Sequence, residues 1–406
     1  MSSKKPSSSH AFSKVKSELL RRDWQPERKQ PSAAYIHIPF CAKKCGYCDF
    51  NAYSGYKDGT KQRYIDAICH EIITRGSGGP PLTSIFFGGG TPTQLPTVAL
   101  VKIMRTLRET LGITPDAEVT VEANPNDVLL HDWNLLRDAG VNRVSFGVQS
   151  FNPSVLRMID RTHAPEDAAI ALQTVRSAGI SNLSIDLMFG LPRQTLADWR
   201  RTLDHAFALD VPHLSIYGLI LEEKTPFWGR LQRGRMALPG DVAQAAMLEL
   251  AMDFSLNAGY DRYELSNYAK YGLQSRHNLV YWNNGAYWGF GAGAVGYDNI
   301  DRTTNVMRPS RYIDAMLSGQ PLAFENTETP DLAGSIGETL MLGLRLPEGV
   351  QLTDVSNRYG LDIRDLFADE LIAGLNAGLL EMTGDAVRLT RHGTMFANDA
   401  MMLFIA

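Results

Sequence analysis

The chain has 406 residues, 44% hydrophobic and 21% charged, a composition typical of a globular protein with room for two or three domains. The net charge of −4 argues against a general attraction to nucleic acid, and no apolar run approaches the roughly 18 residues of a membrane span. The first thirty residues lack the apolar segment of a secretory signal. Together with cysteines at metal spacing, this favours the reducing cytoplasm.

Residues 1–34 are rich in Ser, Lys, Arg and Pro, and basic residues outnumber acidic ones there. Because the stretch offers little apolar surface to bury, we expect a disordered basic tail. A weak attraction to an anionic membrane surface is the alternative, and it would make the protein peripheral to a membrane.

Three cysteines within eight residues, Cys41, Cys45 and Cys48, follow the spacing CxxxCxxC. The preceding residues 35–40 are apolar and predict a buried strand, so the cysteines lie in the loop at its end. Three nearby thiolates suit an iron–sulfur cluster better than zinc, because structural zinc normally has four ligands. A zinc loop completed by a distant histidine, or plain reduced thiols, are the alternatives. The fourth cysteine, Cys69, has helical spacing and is expected to pack in the core.

From residue 35 to about 221, apolar β-branched runs alternate with helical patterns. The runs predict six strands, at residues 35–40, 84–87, 118–121, 143–148, 183–189 and 214–221. Glycines mark the ends of several intervening helices. This alternation predicts an α/β fold with parallel strands and right-handed crossovers, with too few repeats for a complete eight-stranded barrel.

Polar residues follow several of these strands, at the edge where parallel sheets bind ligands. Residues 88–92 are Gly-Gly-Gly-Thr-Pro, and three glycines let a backbone approach a ligand closely. Glu122 ends the third predicted strand and Gln149 the fourth. Asp186 lies in the fifth strand, and Arg161 follows the fourth by a short loop. Taken one by one, these side chains are equally well explained as caps or salt bridges.

The cysteine motif followed by Gly-Gly-Gly-Thr-Pro resembles the radical S-adenosylmethionine (SAM) superfamily. The resemblance implies a partial (βα)6 barrel, open on one side. It also implies a [4Fe–4S] cluster held by Cys41, Cys45 and Cys48, with SAM on the iron that has no protein ligand. Within the coproporphyrinogen III oxidase-like branch, the SAM-contacting positions are matched here by Tyr35, Tyr47, Gly89, Gly90, Thr91, Glu122, Gln149, Arg161 and Asp186.

Residues 222–327 break the repeat and are expected to close the open barrel as an additional α+β segment. Their most distinctive stretch is the motif HNxxYW at residues 277–282, which precedes a glycine-rich run. A neutral imidazole among aromatic side chains can ligate haem iron. On the residues alone, a core histidine hydrogen-bonded to the backbone is the favoured interpretation of His277.

Residues 328–406 predict a separate C-terminal domain, with helical patterns followed by a short hairpin, the order found in winged helices. Many winged helices bind duplex DNA, which requires cations for the phosphates. From Asp331 onward, five arginines and no lysine stand against eleven acidic residues. We therefore expect a packing or partner module and no nucleic acid as partner.

Two features narrow the resemblance to the haem chaperones of this branch. Phe50 stands where the oxygen-independent coproporphyrinogen III dehydrogenases carry a further cysteine, and the HNxxYW motif is present. The resemblance implies a chaperone that binds haem, with His277 as candidate ligand, and delivers it to acceptor haemoproteins, including acceptors at a membrane. The alternative is the dehydrogenase itself, a radical enzyme that decarboxylates porphyrinogen propionates in haem biosynthesis.

Overall fold

The structure is a computed structural model that describes residues 24, 26–76, 78–319 and 324–405. Six parallel strands form its centre, and each pairs with the strand that precedes it in the chain. The strands are β1 (Ala33–Ile38), β2 (Leu82–Gly89), β3 (Ile113–Ala123), β4 (Arg143–Gln149), β5 (Asn182–Phe189) and β6 (His213–Gly218). The predicted α/β fold with a partial (βα)6 barrel is confirmed.

Helices cover the outer face of this sheet. They are α1 (Asp58–Arg75), α2 (Thr97–Thr110), α3 (Trp133–Asp138), α4 (Pro153–Met158), α5 (Asp167–Ser177) and α6 (Leu196–Ala208). Local chemistry sets several of their starts: the Asn152 side chain accepts from two backbone N–H groups of α4, and Thr195 and Asp198 form a capping box on α6. Cys69 is buried on α1, as predicted.

The two faces of the sheet differ in polarity, and β4 illustrates the pattern. Val144 and Phe146 point outward into the apolar core between sheet and helices. The alternate residues point inward and line a cavity: Arg143, Ser145, Gly147 and Gln149. Because successive strand residues face opposite sides, the apolar runs of the sequence account for the outer face only.

The segment after β6 extends the sheet at both edges. Its elements are α7 (Pro226–Gln232), α8 (Asp241–Asn257), β7 (Asp261–Arg262), β8 (Asn267–Ala269), α9 (Arg276–Trp282) and β9 (Trp288–Phe290). β8 pairs antiparallel with β6 and β7 with β8, whereas β9 pairs in parallel with β1. Helix α9 packs against β2 near its beginning and so lies across the floor of the barrel.

The sequence analysis predicts an α+β segment here but does not locate the long helix α8. Its apolar residues are spread around the whole helix instead of forming one stripe, so the usual periodic signal is absent. It packs on α6 and occupies the place of the sixth helix of the repeat.

Part of the predicted tail is ordered. Residues 1–23 and 25 lie outside the described residues, but Trp24 packs against the ring of Tyr359 at 5.4 Å between centroids. Arg28 forms ion pairs with Asp298 and Asp301. The disordered tail stays a prediction for residues 1–23 and 25, while Arg28 has acidic partners distant in the chain that composition does not reveal.

A three-stranded antiparallel sheet lies between the barrel and the C-terminal part. It comprises β10 (Val295–Tyr297), β11 (Arg302–Asn305) and β12 (Phe324–Glu328), with α10 (Pro309–Leu317) between the last two.

The C-terminal part has a hydrophobic core of its own and the winged-helix order of elements that the sequence predicts. These elements are α11 (Leu332–Gly343), β13 (Val350–Gln351), α12 (Leu352–Tyr359), α13 (Ile363–Leu366), α14 (Ala368–Asn376), β14 (Leu380–Thr383), β15 (Ala386–Leu389), α15 (Arg391–Met395) and α16 (Ala397–Met402). The short helices α13 and α14 follow one another directly and are separated only by Phe367.

A buried ion pair joins this C-terminal part to the barrel. The fully buried Glu264 accepts from Arg345 at 2.8 Å, and the Arg345 guanidinium stacks over the Trp282 ring at 4.1 Å. In the part of the chain that the structure describes, no helix combines the length and the apolar character that crossing a bilayer requires.

Candidate functional site

The carboxyl ends of the barrel strands surround a cavity of about 530 Å³, a size typical of small-molecule sites. Of the thirteen residues predicted for the site, all but Tyr35 and His277 line this cavity. The lining ones are Cys41, Cys45, Tyr47, Cys48, Gly89, Gly90, Thr91, Glu122, Gln149, Arg161 and Asp186. The structure therefore brings together residues that are up to 145 positions apart in the chain.

The cysteine loop is held in place by the segment after β6. The Phe227 backbone N–H donates to the Gly46 carbonyl at 3.0 Å, and a Cβ on Gly46 would lie 2.4 Å from the Phe227 ring. The Gly46 N–H in turn donates to the Asp160 carboxylate at 3.3 Å. The glycine between Cys45 and Cys48 is therefore required for packing. Tyr47 reaches the same ring, with centroids 6.2 Å apart.

The three cysteines offer a donor set made only of sulfur. All are free and half-buried at one side of the cavity, although no three His, Cys, Asp or Glu side chains of the described residues are already grouped as metal ligands. Burial raises the pKa of the Cys41 and Cys48 thiols. A metal centre must therefore displace protons as it binds. Three thiolates with no fourth protein ligand fit a [4Fe–4S] cluster.

The glycine-rich segment packs tightly against the end of β1. The Gly90 N–H donates to the Ile38 carbonyl and the Thr91 N–H to the Phe40 carbonyl, each at 2.8 Å. A Cβ on Gly90 would lie 2.8 Å from the Phe40 oxygen, and one on Gly89 2.4 Å from the His37 ring. Gly89 also has φ +108°, in the region that favours glycine. Packing of this segment against the end of β1 therefore requires glycine at both positions, independently of any ligand.

Thr91 links this segment to the cysteine loop and to the next strand. Its hydroxyl lies 3.7 Å from the Cys41 sulfur and accepts a hydrogen bond from the Asn124 side chain at 3.2 Å. Asn124, which the sequence analysis missed, also accepts from Arg161 at 2.6 Å. It comes two residues after Glu122 at the end of β3, so its place at a strand end was the available signal.

Two carboxyl groups stand inside the cavity. Glu122 accepts from the Gly89 N–H at 3.3 Å, and Asp186 accepts from the Ser145 hydroxyl at 3.1 Å. Burial, reinforced by the charge of Asp186, raises the pKa of Glu122 to about 8, and burial also raises the pKa of Asp186. Glu122 is therefore mostly protonated at neutral pH, and a cationic ligand beside it would favour the ionised form.

Arg161 and Gln149 shape the opposite wall. Arg161 donates to the Gly147 carbonyl, and its Nη1 lies 4.0 Å from the Cys45 sulfur. The guanidinium can thus stabilise a thiolate there, and its fork of N–H donors can also bind a carboxylate. Gln149, which lines the cavity, has φ +66° next to an irregularity in the β4–β5 pairing, a strained conformation for a residue other than glycine.

Arg143 is a second residue that sequence reasoning missed. It is 2% exposed and lines the cavity. Its Nε has no hydrogen-bond partner within the described part of the chain, and its Nη1 makes one long contact, 3.5 Å, with the Thr120 hydroxyl. An arginine at the start of an otherwise apolar strand was the signal, since alternation places it on the inner face.

His277 lies beneath the cavity and not in it. The residue is fully buried, with Nδ1 3.0 Å from the Ser84 hydroxyl and Nε2 2.8 Å from the Tyr281 hydroxyl. The Glu118 carboxylate accepts from its backbone N–H at 3.0 Å. Burial lowers the pKa of His277 to about 3, so the ring is neutral. Both ring nitrogens are engaged, so ligation of haem iron stays a prediction that requires one of these bonds to break.

Tyr35 also lies outside the cavity lining. Its hydroxyl is 3.0 Å from Nδ1 of His37, and its ring stacks on Phe86 with centroids 6.2 Å apart. Because Phe86 itself lines the cavity, Tyr35 acts on the site through its neighbour in this conformation.

Comparisons with known proteins agree with this architecture. The family model of the radical SAM superfamily matches residues 35–206, and that of the HemN C-terminal domain matches residues 335–396. Among solved structures, the coproporphyrinogen III oxidase HemN from Escherichia coli, described as a radical SAM enzyme, superposes with a TM-score of 0.80. It shares 25% sequence identity, over 95% of this chain and 92% of that chain.

Curated relatives match nearly the whole chain. It is 40% identical to Heme chaperone HemW of Bacillus subtilis (strain 168), over 92% of this chain and 99% of that protein. It is 34% identical to Heme chaperone HemW of Escherichia coli (strain K12), over 93% and 98% respectively. Because this identity extends over almost the full length of both aligned sequences, the chain belongs to the HemW family of the radical SAM superfamily.

Proposed function

We propose that the protein is a haem chaperone, which holds a [4Fe–4S] cluster and SAM in its barrel, binds haem and passes it to acceptor haemoproteins. The main support is the 40% identity, over 92% of the chain, to a protein named for haem chaperoning. The cavity adds a second support, because its lining includes the three free cysteines and the strand-end residues expected for a cluster and SAM.

Cys41, Cys45 and Cys48 would hold the cluster, which when reduced supplies an electron for cleavage of SAM. The backbone at Gly90 is fixed against the end of β1, and its carbonyl would accept from the ammonium group of SAM. The Glu122 carboxylate would accept a hydrogen bond from the ammonium group of SAM. Arg161 would balance the negative charge of the Cys45 thiolate. Tyr47 offers its ring to the adenine.

We place the protein in the cytoplasm, with acceptors that include proteins at a membrane. All four cysteines are unpaired in the described chain, which suits a reducing compartment.

A second candidate function is oxidative decarboxylation of coproporphyrinogen III. It is favoured by the structural similarity to coproporphyrinogen III oxidase, whose structure superposes on 95% of this chain. Phe50 weighs against it, since it replaces a cysteine that the dehydrogenases carry.

One anaerobic experiment with reconstituted protein, SAM and reductant distinguishes the two functions. We expect saturable binding of haem, followed by transfer to an apo-haemoprotein, which is detected by the absorption spectrum of the loaded acceptor. Coproporphyrinogen III incubated in parallel should remain unchanged. Formation of protoporphyrinogen would instead support the enzyme and contradict the chaperone.

The cluster ligands can be tested with two cysteine variants. We expect Cys45→Ala to lose the [4Fe–4S] absorption band and most of its iron and sulfide, because two thiolates are too few to hold a cubane. Cys69→Ala is the matched control, since Cys69 is buried on α1 away from the cavity, and it should keep four irons per chain. A Cys45→Ala protein that assembles four irons would contradict the assignment.

The raised pKa of Glu122 predicts that SAM affinity depends on pH. Below the pKa of about 8 this carboxyl is neutral and must release a proton to pair with a cation, so affinity should rise with pH between 6 and 8, by up to about tenfold per unit. In Glu122→Gln the slope should disappear. Isothermal titration at several pH values measures it, with Asp66→Asn on the outer helix α1 as control. An equal slope in wild type and Glu122→Gln would refute the coupling.

Haem ligation by His277 is tested by comparing three variants in haem titrations. If His277 ligates the iron, His277→Ala should weaken binding at least about tenfold and shift the Soret band. Tyr281→Phe should bind no more weakly than wild type, because it frees Nε2. His213→Ala is the matched control: His213 is equally buried, with Ser184 and Tyr263 hydroxyls at 2.8 Å from its two nitrogens. Unchanged affinity and Soret position in His277→Ala would remove His277 from the haem site.

A further inference from the structure

Two large apolar side chains stand in solvent at the opening of the barrel cavity. Phe50 is 68% exposed and Ile220 is 69% exposed, and both belong to the cavity lining. Phe50 follows the last cluster cysteine by two residues, and Ile220 follows the end of β6 by two. They come from the first and the last strands of the repeat and so border the opening from two sides. We call this pair the apolar lip.

The lip differs from the other exposed apolar residues of the surface. Ile73, for example, is 61% exposed on the outer side of α1 and does not line the barrel cavity, and single exposed apolar residues of this kind are normal on protein surfaces. Within the described residues, Phe50 makes no ring contact with another aromatic side chain. A ligand that covered both side chains would gain enough free energy from their burial to bind about a hundredfold more tightly.

The surroundings of the lip define the chemistry of that ligand. Lys43, Lys44 and the carboxylate of Asp49 line the same opening. Lys44 donates to the Phe50 carbonyl at 2.8 Å and has further N–H donors to offer, while Lys43 pairs with Asp160 at 2.7 Å. The cavity beneath contains the residues proposed for the cluster and SAM. A ligand that lies over the opening should therefore be broad and apolar, with negative groups at its edge.

We propose that the haem macrocycle lies on Phe50 and Ile220 over the opening of the cavity, with a propionate paired to Lys44. This inference rests on the proposed function, namely that the protein binds haem. Haem is a flat apolar ring with two carboxylates, which matches an apolar lip flanked by lysines. Phe50 then has a positive role where the related dehydrogenases have a cysteine, because it provides contact area for the ring.

The test uses the anaerobically reconstituted full-length protein and haem as the probe. We expect Phe50→Glu and Ile220→Glu each to weaken haem binding at least about tenfold, since a carboxylate removes apolar contact and repels the propionates. Ile73→Glu is the matched control, with the same substitution at similar exposure away from the cavity, and should bind as wild type. Iron and sulfide content should be unchanged in Ile220→Glu, because Ile220 lies outside the cysteine loop.

The possible outcomes distinguish a failure of the lip proposal from a failure of the proposed haem binding. Wild type that fails to bind haem would overturn both. Wild type that binds haem, with both lip variants within about twofold of it, would overturn the lip alone. Phe50→Leu, which keeps an apolar side chain, should retain affinity if Phe50→Glu loses it. A lip variant that changes the oligomeric state but not haem affinity would assign these side chains to contact with a second copy, against the proposal.

The propionate contact has its own readout. Wild type should bind haem dimethyl ester about tenfold more weakly than haem, because the ester has no charge for Lys44. Lys44→Met should lose this discrimination while keeping the affinity for the ester. Equal discrimination in wild type and Lys44→Met would contradict the pairing.

Discussion

The close approach of the chain after β2 to the end of β1 is the contact on which the site depends. Two backbone hydrogen bonds of 2.8 Å join Gly90 to Ile38 and Thr91 to Phe40, and a side chain on Gly90 would collide with the backbone there. Cys41 is the next residue after Phe40. The same contact therefore fixes the beginning of the cysteine loop and the segment proposed to hold the amino acid part of SAM, so cluster and ligand positions are set by one piece of backbone geometry.

The inner face of the barrel is polar, and this decides how the chain closes it. Helix α9 is docked on the floor by hydrogen bonds, with Glu118 accepting backbone N–H groups at its start and Ser84 bonding His277. Across the lumen, His213 is bonded in the same way to Ser184 and Tyr263. Buried polar networks whose members all have partners specify one arrangement more strictly than apolar packing does. A cavity with a fixed floor can keep its lining residues in position without a ligand.

The parts of this structure that local patterns determine were predictable from the sequence. The six strands follow from apolar runs on the outer face. Glu122 and Gln149, singled out at strand ends, and Asp186, singled out within the fifth strand, all line the cavity, while their roles toward SAM stay predictions. Features that depend on distant partners were not predictable. The apolar residues of α8 surround the helix, so no periodicity marks it, and the ion pairs of Arg28 with Asp298 and Asp301 join residues far apart in the chain. Arg143 was not recognised as a cavity residue because the rest of its strand is mostly apolar.

The HNxxYW motif shows how a structural role and a binding role compete for the same side chains. His277 bonds Ser84 and Tyr281, Asn278 reaches the cavity, and Trp282 stacks under Arg345. The motif thereby connects the floor of the barrel to the C-terminal part. Because Arg345 is also the partner of the buried Glu264, a shift of α9 that released His277 would disturb a buried ion pair, which is costly to break. Haem that binds at the apolar lip needs no such shift. Haem bound at the proposed lip would leave the hydrogen bonds of His277 and the Glu264–Arg345 ion pair intact, whereas ligation by His277 would require one of those hydrogen bonds to break.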